Sequence, residues 1–342
     1  MPLAIPFPSW LKPEIVPFLP VRWYGLMYIL AFGTAYFLFR RQIKERHFPM
    51  TEDDLSGLFV WGILGLILGA RLFHSLVYDT SGYYRARPWL IFWPFHNGKF
   101  TGLQGMSYHG GAFACLLSVI IYSKVKRFNF REIGDMVVTS IPLGFTFGRL
   151  GNFINAELYG RATASPLGMI FPDATALSAS ESWVREIAEK TGVAVTGALI
   201  NLPRHPSQLY EALFEGIVLW AIIWFTRNRK PFKGFQLGLY FAGYGLFRFF
   251  IEYFREPDAD LGYRIEFVKN AFPAAYRHPP LSFSTGQILC FLMILFGVIW
   301  LIIVSRFPDR EAIRVYGEEK QADKEESSTA RNRQRKLRKR LK

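Results

Sequence analysis

Two sets of charged residues stand where apolar chain surrounds them. Arg149 lies in Gly148-Arg149-Leu150-Gly151-Asn152-Phe153-Ile154-Asn155-Ala156-Glu157, which closes the apolar stretch 137–147. A guanidinium near the middle of a hydrocarbon layer costs about 3 kcal/mol on insertion scales, so such an arginine usually faces a polar interior. The alternative is a long stem that snorkels to the interface from a helix end. Asn152, Asn155 and Glu157 add polar groups beside it. Gly148 and Gly151 suggest that the helix ends or bends there and leaves backbone N–H groups beside the guanidinium. That combination suits an anion, and the common anion of a membrane is a lipid phosphate.

The second set is Tyr244, Arg248, Glu252 and Arg255, spaced i, i+4, i+8 and i+11. On a helix they share one face within about 80° of arc, with the neighbouring phenylalanines elsewhere. Arg248 and Glu252 can pair along the helix, which lowers the cost of carrying both. A purely structural ion pair is the alternative to a ligand site. Arg71, His74 and Tyr78 form a third polar stripe, explained equally by side chains reaching the interface from a helix end.

Tyr24 and Tyr28 fit an aromatic belt as well as a site. His109 precedes Gly110 and Gly111, whose lack of side chains allows close backbone approach and gives the imidazole room, and a histidine ordinarily titrates near neutral pH. It has no His, Asp or Cys at ligand spacing, so no metal is expected. In His205-Pro206-Ser207-Gln208-Leu209-Tyr210-Glu211, Pro206 or Ser207 with Glu211 makes a good helix start. Both cysteines, Cys115 and Cys290, lie in apolar segments and read as small packing residues. Any thiol chemistry must use a thiol from elsewhere.

These residues need helices to hold them. Of the 342 residues, 51% are hydrophobic and 17% aromatic, a bias rare in soluble domains. About 20 apolar residues cross a hydrocarbon core, and seven segments qualify: Val21 to Phe39, Leu55 to Val77, Tyr108 to Ser123, Ile133 to Leu150, Leu209 to Thr226, Phe235 to Phe254, and Thr285 to Ser305. Gly110 and Gly111 in the third, with Asp135 and Pro142 in the fourth, suggest helices that are broken or buried among neighbours. The proline-rich stretch Met1 to Pro20 lacks the basic start of a cleavable signal, so the first span is expected to be retained.

The net charge of +14 is concentrated in alternate loops. Arg40, Arg41, Lys44 and Arg46 follow the first span, Lys124, Lys126, Arg127 and Arg131 the third, and Arg227, Arg229, Lys230 and Lys233 the fifth. The positive-inside rule makes these loops cytoplasmic, with the N-terminus outside and the C-terminus inside. The reading is an all-α integral membrane protein. Residues 1–305 form a seven-helix body, including a small extracytoplasmic head at 151–207, and 306–342 form a charged, partly disordered cytoplasmic tail. A helix is expected within Ser178 to Thr191, supported by Glu181 and Arg185, and another near Asp309 to Glu319. The basic run Arg331 to Arg340 suits anionic lipid of the inner leaflet; no nucleic acid is expected.

Tyr24 in its Arg22-to-Tyr28 setting, His109-Gly110-Gly111, the Gly148-to-Gly160 block, His205 to Glu211, and Arg248…Glu252…Arg255-Glu256-Pro257-Asp258 resemble, in order, the motifs of bacterial phosphatidylglycerol–prolipoprotein diacylglyceryl transferases. The resemblance covers about Val21 to Ser305. The Gly-Arg-Asn block is specific, whereas His-Gly-Gly alone would be weak. The segment after Gly160 and the basic tail exceed the family's minimum and inherit no role.

The resemblance implies seven spans in the bacterial plasma (inner) membrane and transfer of a diacylglyceryl group from phosphatidylglycerol to the lipobox cysteine of a preprolipoprotein. Glycerol 1-phosphate is released and no cofactor is needed. It further implies that Arg149 and Arg248 bind the phosphate while Asn152 and Glu157 orient Arg149 and the glycerol head. Glu252 fixes Arg248, and Arg255 extends the anion site. His109 serves as base, with Tyr24 and Tyr244 as hydrogen-bonding partners. Asn155, Gly160 and Glu211 complete the lipid site. A transporter or flippase of an anionic lipid would use the same arginines without chemistry.

Overall fold

The protein is described by a computed structural model covering residues 4–16, 22–96, 99–100, 105–256, 263–267, 273, 275–276, 278–279 and 281–307. The expected helix near Asp309 to Glu319, the basic run Arg331 to Arg340 and the Pro257-Asp258 end of the last motif lie outside the described residues.

The chain is mostly helical. Its principal helices are α1 (Trp23–Arg46), α2 (Glu52–Phe73), α3 (Tyr108–Val125), α4 (Phe130–Ile154), α5 (Ser182–Thr191), α6 (Ser207–Thr226), α7 (Phe235–Ile251) and α8 (Thr285–Arg306). Among the described residues, Glu52–Tyr78, Ser207–Thr226 and Thr285–Arg306 are long and apolar enough to cross a membrane. The other expected segments are helical but shorter, as α7 is, or charged at an end, as α1 is by Arg40, Arg41, Lys44 and Arg46. The all-α expectation needs one addition. The connections carry four two-stranded pieces, including a parallel pairing of Ile5–Pro6 with Met169–Ile170 and antiparallel pairings of Leu177–Ser178 with Leu199–Ile200 and Tyr263–Glu266 with Ser282–Ser284. Long connections that pack must pair their backbone groups, and short ladders do so.

Two compact units emerge. One is Arg40–Ile133, and the other comprises the described residues on either side of it. In the first unit α2 and α3 run antiparallel and their backbones meet along small residues. A Cβ on Gly65 would lie 2.9 Å from the Ala114 carbonyl oxygen, and one on Gly69 would lie 2.6 Å from that of Gly110. Gly65 and Gly69 oppose Gly110, Ala114 and Ser118, a small-residue seam that brings backbones together without any hydrophobic drive. Gly110 and Gly111 therefore neither break α3 nor serve chiefly to free an imidazole. Cys115 is part of the same seam, its Sγ 3.8 Å from a Cβ built on Gly62, and both cysteines are free.

Arg71 of the third polar stripe is almost fully buried. It donates to the Ile91 and Gly105 carbonyls and lies 4.7 Å over the Tyr84 ring, so it ties down the connection that follows α2. α2 loosens into a π-helical turn, His74–Tyr78, which carries the stripe's remaining members.

In the second unit Pro142 sits inside an unbroken α4, flanked by buried residues such as Asp135, Thr139 and Ser140. Of the two expected outcomes, buried replaces broken. Asp135 explains its own burial: its carboxylate takes Lys230 Nζ at 2.8 Å and the backbone N–H groups of Gly234 (2.8 Å) and Leu237 (3.0 Å). It thereby caps α7 from a neighbouring helix, where a negative charge also meets the positive end of the helix dipole. Gly234 supplies the left-handed residue before α7, at φ 91.

The 151–207 segment has its own core. α5 turns Trp183, Val184, Ile187, Ala188 and Thr191 inward, where Ala162, Ile200 and Leu202 pack and Tyr276 stacks on Trp183. Its start is one turn later than the composition suggests, because Glu181 is the N-cap and Arg185 donates to the Ala179 carbonyl at 2.6 Å instead of supporting a longer helix.

Two predictions follow from packing and burial. Gly69→Ala places a methyl against the Gly110 carbonyl and is expected to lower the melting temperature in detergent. Gly33→Ala, with nothing within 4 Å, should leave it equal or higher, since alanine is the better helix former; equal losses would remove the seam argument. His205 is packed against the Tyr210 and Phe254 rings. Burial first, and the Arg161 charge second, lower its pKa to about 4 from 6.5. The unfolded chain then binds more protons between those values, so this part of the stability is intact above about 6.5 and lost as pH falls toward 4. His205→Gln should flatten the dependence of melting temperature on pH across that window, and an unchanged slope would count against the burial.

Candidate active site

α4 delivers Arg149 and continues past it. It does not end or bend at Gly148 and Gly151, as the sequence suggests, but runs to Ile154. The glycines serve contact. A Cβ on Gly151 would lie 3.2 Å from the Tyr24 ring of α1, and one on Gly148 would meet nothing within 4 Å, which leaves bare backbone beside Arg149. Termination comes at a Schellman-type turn: Ala156 N–H donates to the Phe153 carbonyl at 2.9 Å and Glu157 N–H to that of Asn152 at 3.0 Å.

Ala156 (φ 54) and Leu158 (φ 56) are both left-handed. Each L-residue there costs about 1–2 kcal/mol, and such strain gathers at functional positions. α6 holds the turn, with Gln208 Nε2 donating to the Glu157 carbonyl (2.6 Å) and Ser207 Oγ to that of Leu158 (3.2 Å). Ser207 is thus a clamp on a neighbouring segment and not the cap that its place before a helix suggests.

Glu157 faces back toward the arginine. Its Oε1 accepts from Asn152 Nδ2 at 2.8 Å and from Asn155 Nδ2 at 3.3 Å, while Asn152 Oδ1 accepts from Arg149 Nη1 at 3.4 Å. The guanidinium also lies 4.6 Å over the Phe145 ring, which in turn meets Tyr244 edge-on.

The centre is Glu211, with no exposed surface. Its Oε2 is 2.8 Å from Arg149 Nε and 3.1 Å from Arg248 Nη1, and its Oε1 accepts from Arg255 Nη1 at 2.7 Å. Glu252 lies 3.4 Å from Arg248 and 3.7 Å from Arg255, and its Oε1 accepts from Ser284 Oγ at 3.1 Å. Three arginines from α4 and α7 with its following turn therefore share one carboxylate from α6. Arg149 Nε, Arg248 Nη1 and Glu211 Oε2 are buried at ion-pair distance without hydrogen-bond geometry, so each has hydrogen-bonding capacity left over among the described residues. Buried guanidinium donors with unspent capacity are what an oxyanion needs.

Gly160 is a joint at the edge of this cluster. Its N–H donates to the His205 carbonyl at 2.8 Å, it bridges to Arg255, and a Cβ there would strike the Phe254 carbonyl. The hydroxyl of Tyr24 meets that of Tyr28 at 3.1 Å. His109 belongs to the other unit, in the first turn of α3. It is exposed, and its Nδ1 lies 3.0 Å from the Tyr78 hydroxyl, so Tyr78 joins Tyr24 and Tyr244 among the phenols to be considered. No group of three metal-ligating side chains occurs among the described residues.

The sequence reading overlooked Glu215. It is 1% exposed and 3.7 Å from Arg248, one helical turn after Glu211. Two glutamates at i, i+4 in an apolar span were the available signal, the same pattern that drew attention to Arg248 and Glu252. Between and beyond them α6 is π-helical over Ala212–Val218, where Thr146 Oγ1 donates to the Ala212 carbonyl at 3.3 Å. π segments inside α-helices frequently mark functional positions.

The family model described as prolipoprotein diacylglyceryl transferase matches residues 13–303. The chain is 56% identical over 324 residues to the phosphatidylglycerol–prolipoprotein diacylglyceryl transferase of Treponema denticola, covering 89% of this chain and 95% of the relative. It is 49% identical to that of Treponema pallidum, covering 91% and 98%. To that of Chlorobaculum tepidum it is 40% identical, covering 85% and 89%. With Arg149, Glu211 and Arg248 all inside the matched span, the chain belongs to the prolipoprotein diacylglyceryl transferase family.

Proposed function

We propose that this chain transfers the diacylglyceryl group of phosphatidylglycerol to the thiol of a prolipoprotein cysteine, with the cluster around Glu211 as its phosphate site. Family membership supports the reaction. The observation that carries the site is the convergence of Arg149, Arg248 and Arg255 on Glu211, with buried donor capacity unspent on Arg149 and Arg248 among the described residues. A transporter of anionic lipid is not favoured, because the relatives are named as transferases.

The chemistry is a displacement. A C–S bond forms between the lipobox cysteine and the glyceryl carbon, the bond from that carbon to the phosphate oxygen breaks, and glycerol 1-phosphate leaves with the electron pair. The thiol must first lose its proton, since the thiolate is the nucleophile. Arg149 and Arg248 neutralise the charge growing on the departing phosphate, which is electrostatic work best done by fixed groups in a dry site. Arg255 extends the anion site, and Glu252 fixes Arg248. Asn152, Asn155 and Glu157 orient Arg149 and the glycerol head, while Tyr24 and Tyr244 offer hydrogen bonds at the rim. His109 takes the thiol proton.

The body crosses the bacterial inner membrane seven times, with the N-terminus outside, the 151–207 head extracytoplasmic and the basic tail against anionic lipid of the inner leaflet. The distribution of basic residues supports this orientation.

In vitro transfer from labelled phosphatidylglycerol to a lipobox peptide tests the site. Arg149→Ala and Arg248→Ala are each expected to lower the rate by about 100-fold or more, the usual penalty for losing a preorganised donor to developing charge. Full activity in either would overturn the phosphate assignment. For the base, His109→Gln is expected to abolish the limb of the pH–rate profile near neutrality; an active variant with an unchanged profile would remove His109 from that role.

A further inference from the structure

Glu215 is the charged group of the cluster that the reaction as described does not use. Both of its carboxylate oxygens are buried, and neither has a hydrogen-bond partner among the described residues. Its ion-pair neighbour is Arg248 Nη1 at 3.7 Å, on a guanidinium that Glu211 and Glu252 already hold at 3.1 and 3.4 Å. The groups that face it are Arg248 from α7, Arg149 from α4, Arg255 beyond α7, Glu211 on its own helix and the Cys290 thiol of α8. The π-helical segment carries it into this position, with Gly216 packed directly on Thr146. Holding Arg248 in place needs no third carboxylate. A buried carboxylate without hydrogen bonds is costly to keep, so its position calls for a reason other than packing.

Charge balance supplies that reason. Within ion-pair distance Arg149, Arg248 and Arg255 share Glu211 and Glu252, a surplus of one guanidinium charge that an ionised Glu215 offsets. A site with a surplus cation would hold the phosphodiester monoanion tightly and the phosphate monoester dianion, the leaving group, more tightly still. Tight binding of ground state and product lowers KM and slows release without helping the chemical step.

We propose that Glu215 is a positioning residue that keeps this anion site weak: its carboxylate offsets one guanidinium charge through Arg248, so that glycerol 1-phosphate is released after transfer. The inference rests on the phosphate-site reading above and adds a role in product release to it.

The test is steady-state transfer by the full-length protein in detergent, with inhibition by added glycerol 1-phosphate measured alongside. Glu215→Gln keeps the shape and removes the charge. At an effective dielectric near 20 a unit charge across a guanidinium width is worth about tenfold or more in binding. KM for phosphatidylglycerol should fall by about tenfold, the inhibition constant of glycerol 1-phosphate should fall further, and kcat should drop. A merely structural role predicts lost stability with both constants unchanged or raised, and that result overturns the proposal. If Glu215→Gln does not fold, Glu215→Asp carries the test. It withdraws the charge from Arg248 and should lower the inhibition constant about twofold, whereas an equal or higher constant overturns the proposal. Arg149→Ala run in the same assay separates the two ideas. Full activity there sinks the phosphate site itself, whereas an inactive Arg149→Ala beside unchanged constants in Glu215→Gln sinks the release role alone.

Discussion

A single carboxylate with no access to solvent collects three guanidinium groups, and the arrangement of α4, α6 and α7 follows from it. Glu211 cannot be buried as an isolated charge, nor can Arg149 or Arg248; each is tolerable because the others are there. Breaking such a pair from one side typically costs about 3–5 kcal/mol, a large share of the 5–15 kcal/mol that holds an ordinary domain together. The same mutual dependence fixes geometry, because an arginine held by a buried carboxylate is already pointed. The strained turn at Ala156 and Leu158 then makes sense as part of the same structure: it returns Glu157 toward Asn152 and Arg149, and α6 holds it there through Ser207 and Gln208.

The two units share one adhesive, and one of them adds a second. In Arg40–Ile133, α2 and α3 approach along glycine, alanine, serine and cysteine, so backbone meets backbone and dispersion does the holding. The other unit has such close approaches too, at Gly144 on Ala31, Gly245 on Cys290 and Gly297 on Ala242, and adds buried ionic and capping contacts, with Asp135 at one end of α4 and the Glu211 cluster at the other. A seam of small residues can slip by a fraction of an ångström at little cost, but a buried ion pair cannot. Arg149 and Arg248 are held by contacts of the second kind.

Much of this was legible in the sequence, and the reason is the expense of charge in apolar surroundings. Arg149, Arg248 and Glu252 stand out because hydrocarbon does not tolerate them casually, and they converge with Glu211, which reads alone as part of a helix start and joins the site only through the family resemblance. Helical spacing placed Arg248 with Glu252 on one face correctly, since that relation is local. What escaped was non-local. Gly148 and Gly151 look like helix breakers in one dimension; only the neighbouring α1, pressed on Gly151, reveals them as contact surfaces. Ser207 looks like a cap until the Leu158 carbonyl supplies a better acceptor. Glu215 was passed over because a second glutamate one turn from the first reads as its repetition. The short ladders of the connections left almost no periodic trace, two residues being too few to alternate.

Helix α4 carries an acid near one end and a guanidinium near the other, fourteen residues apart. At 1.5 Å per residue that is about 21 Å, and the stretch 136–148 between them holds no charged side chain. Both ends are moored, Asp135 to the start of α7 and Arg149 to Glu211, so this helix is a ruler that neither slides nor tilts freely. It sets the distance between the acid that caps α7 and the guanidinium that meets Glu211. A disturbance at either anchor is therefore carried to the other across about 21 Å of uncharged helix.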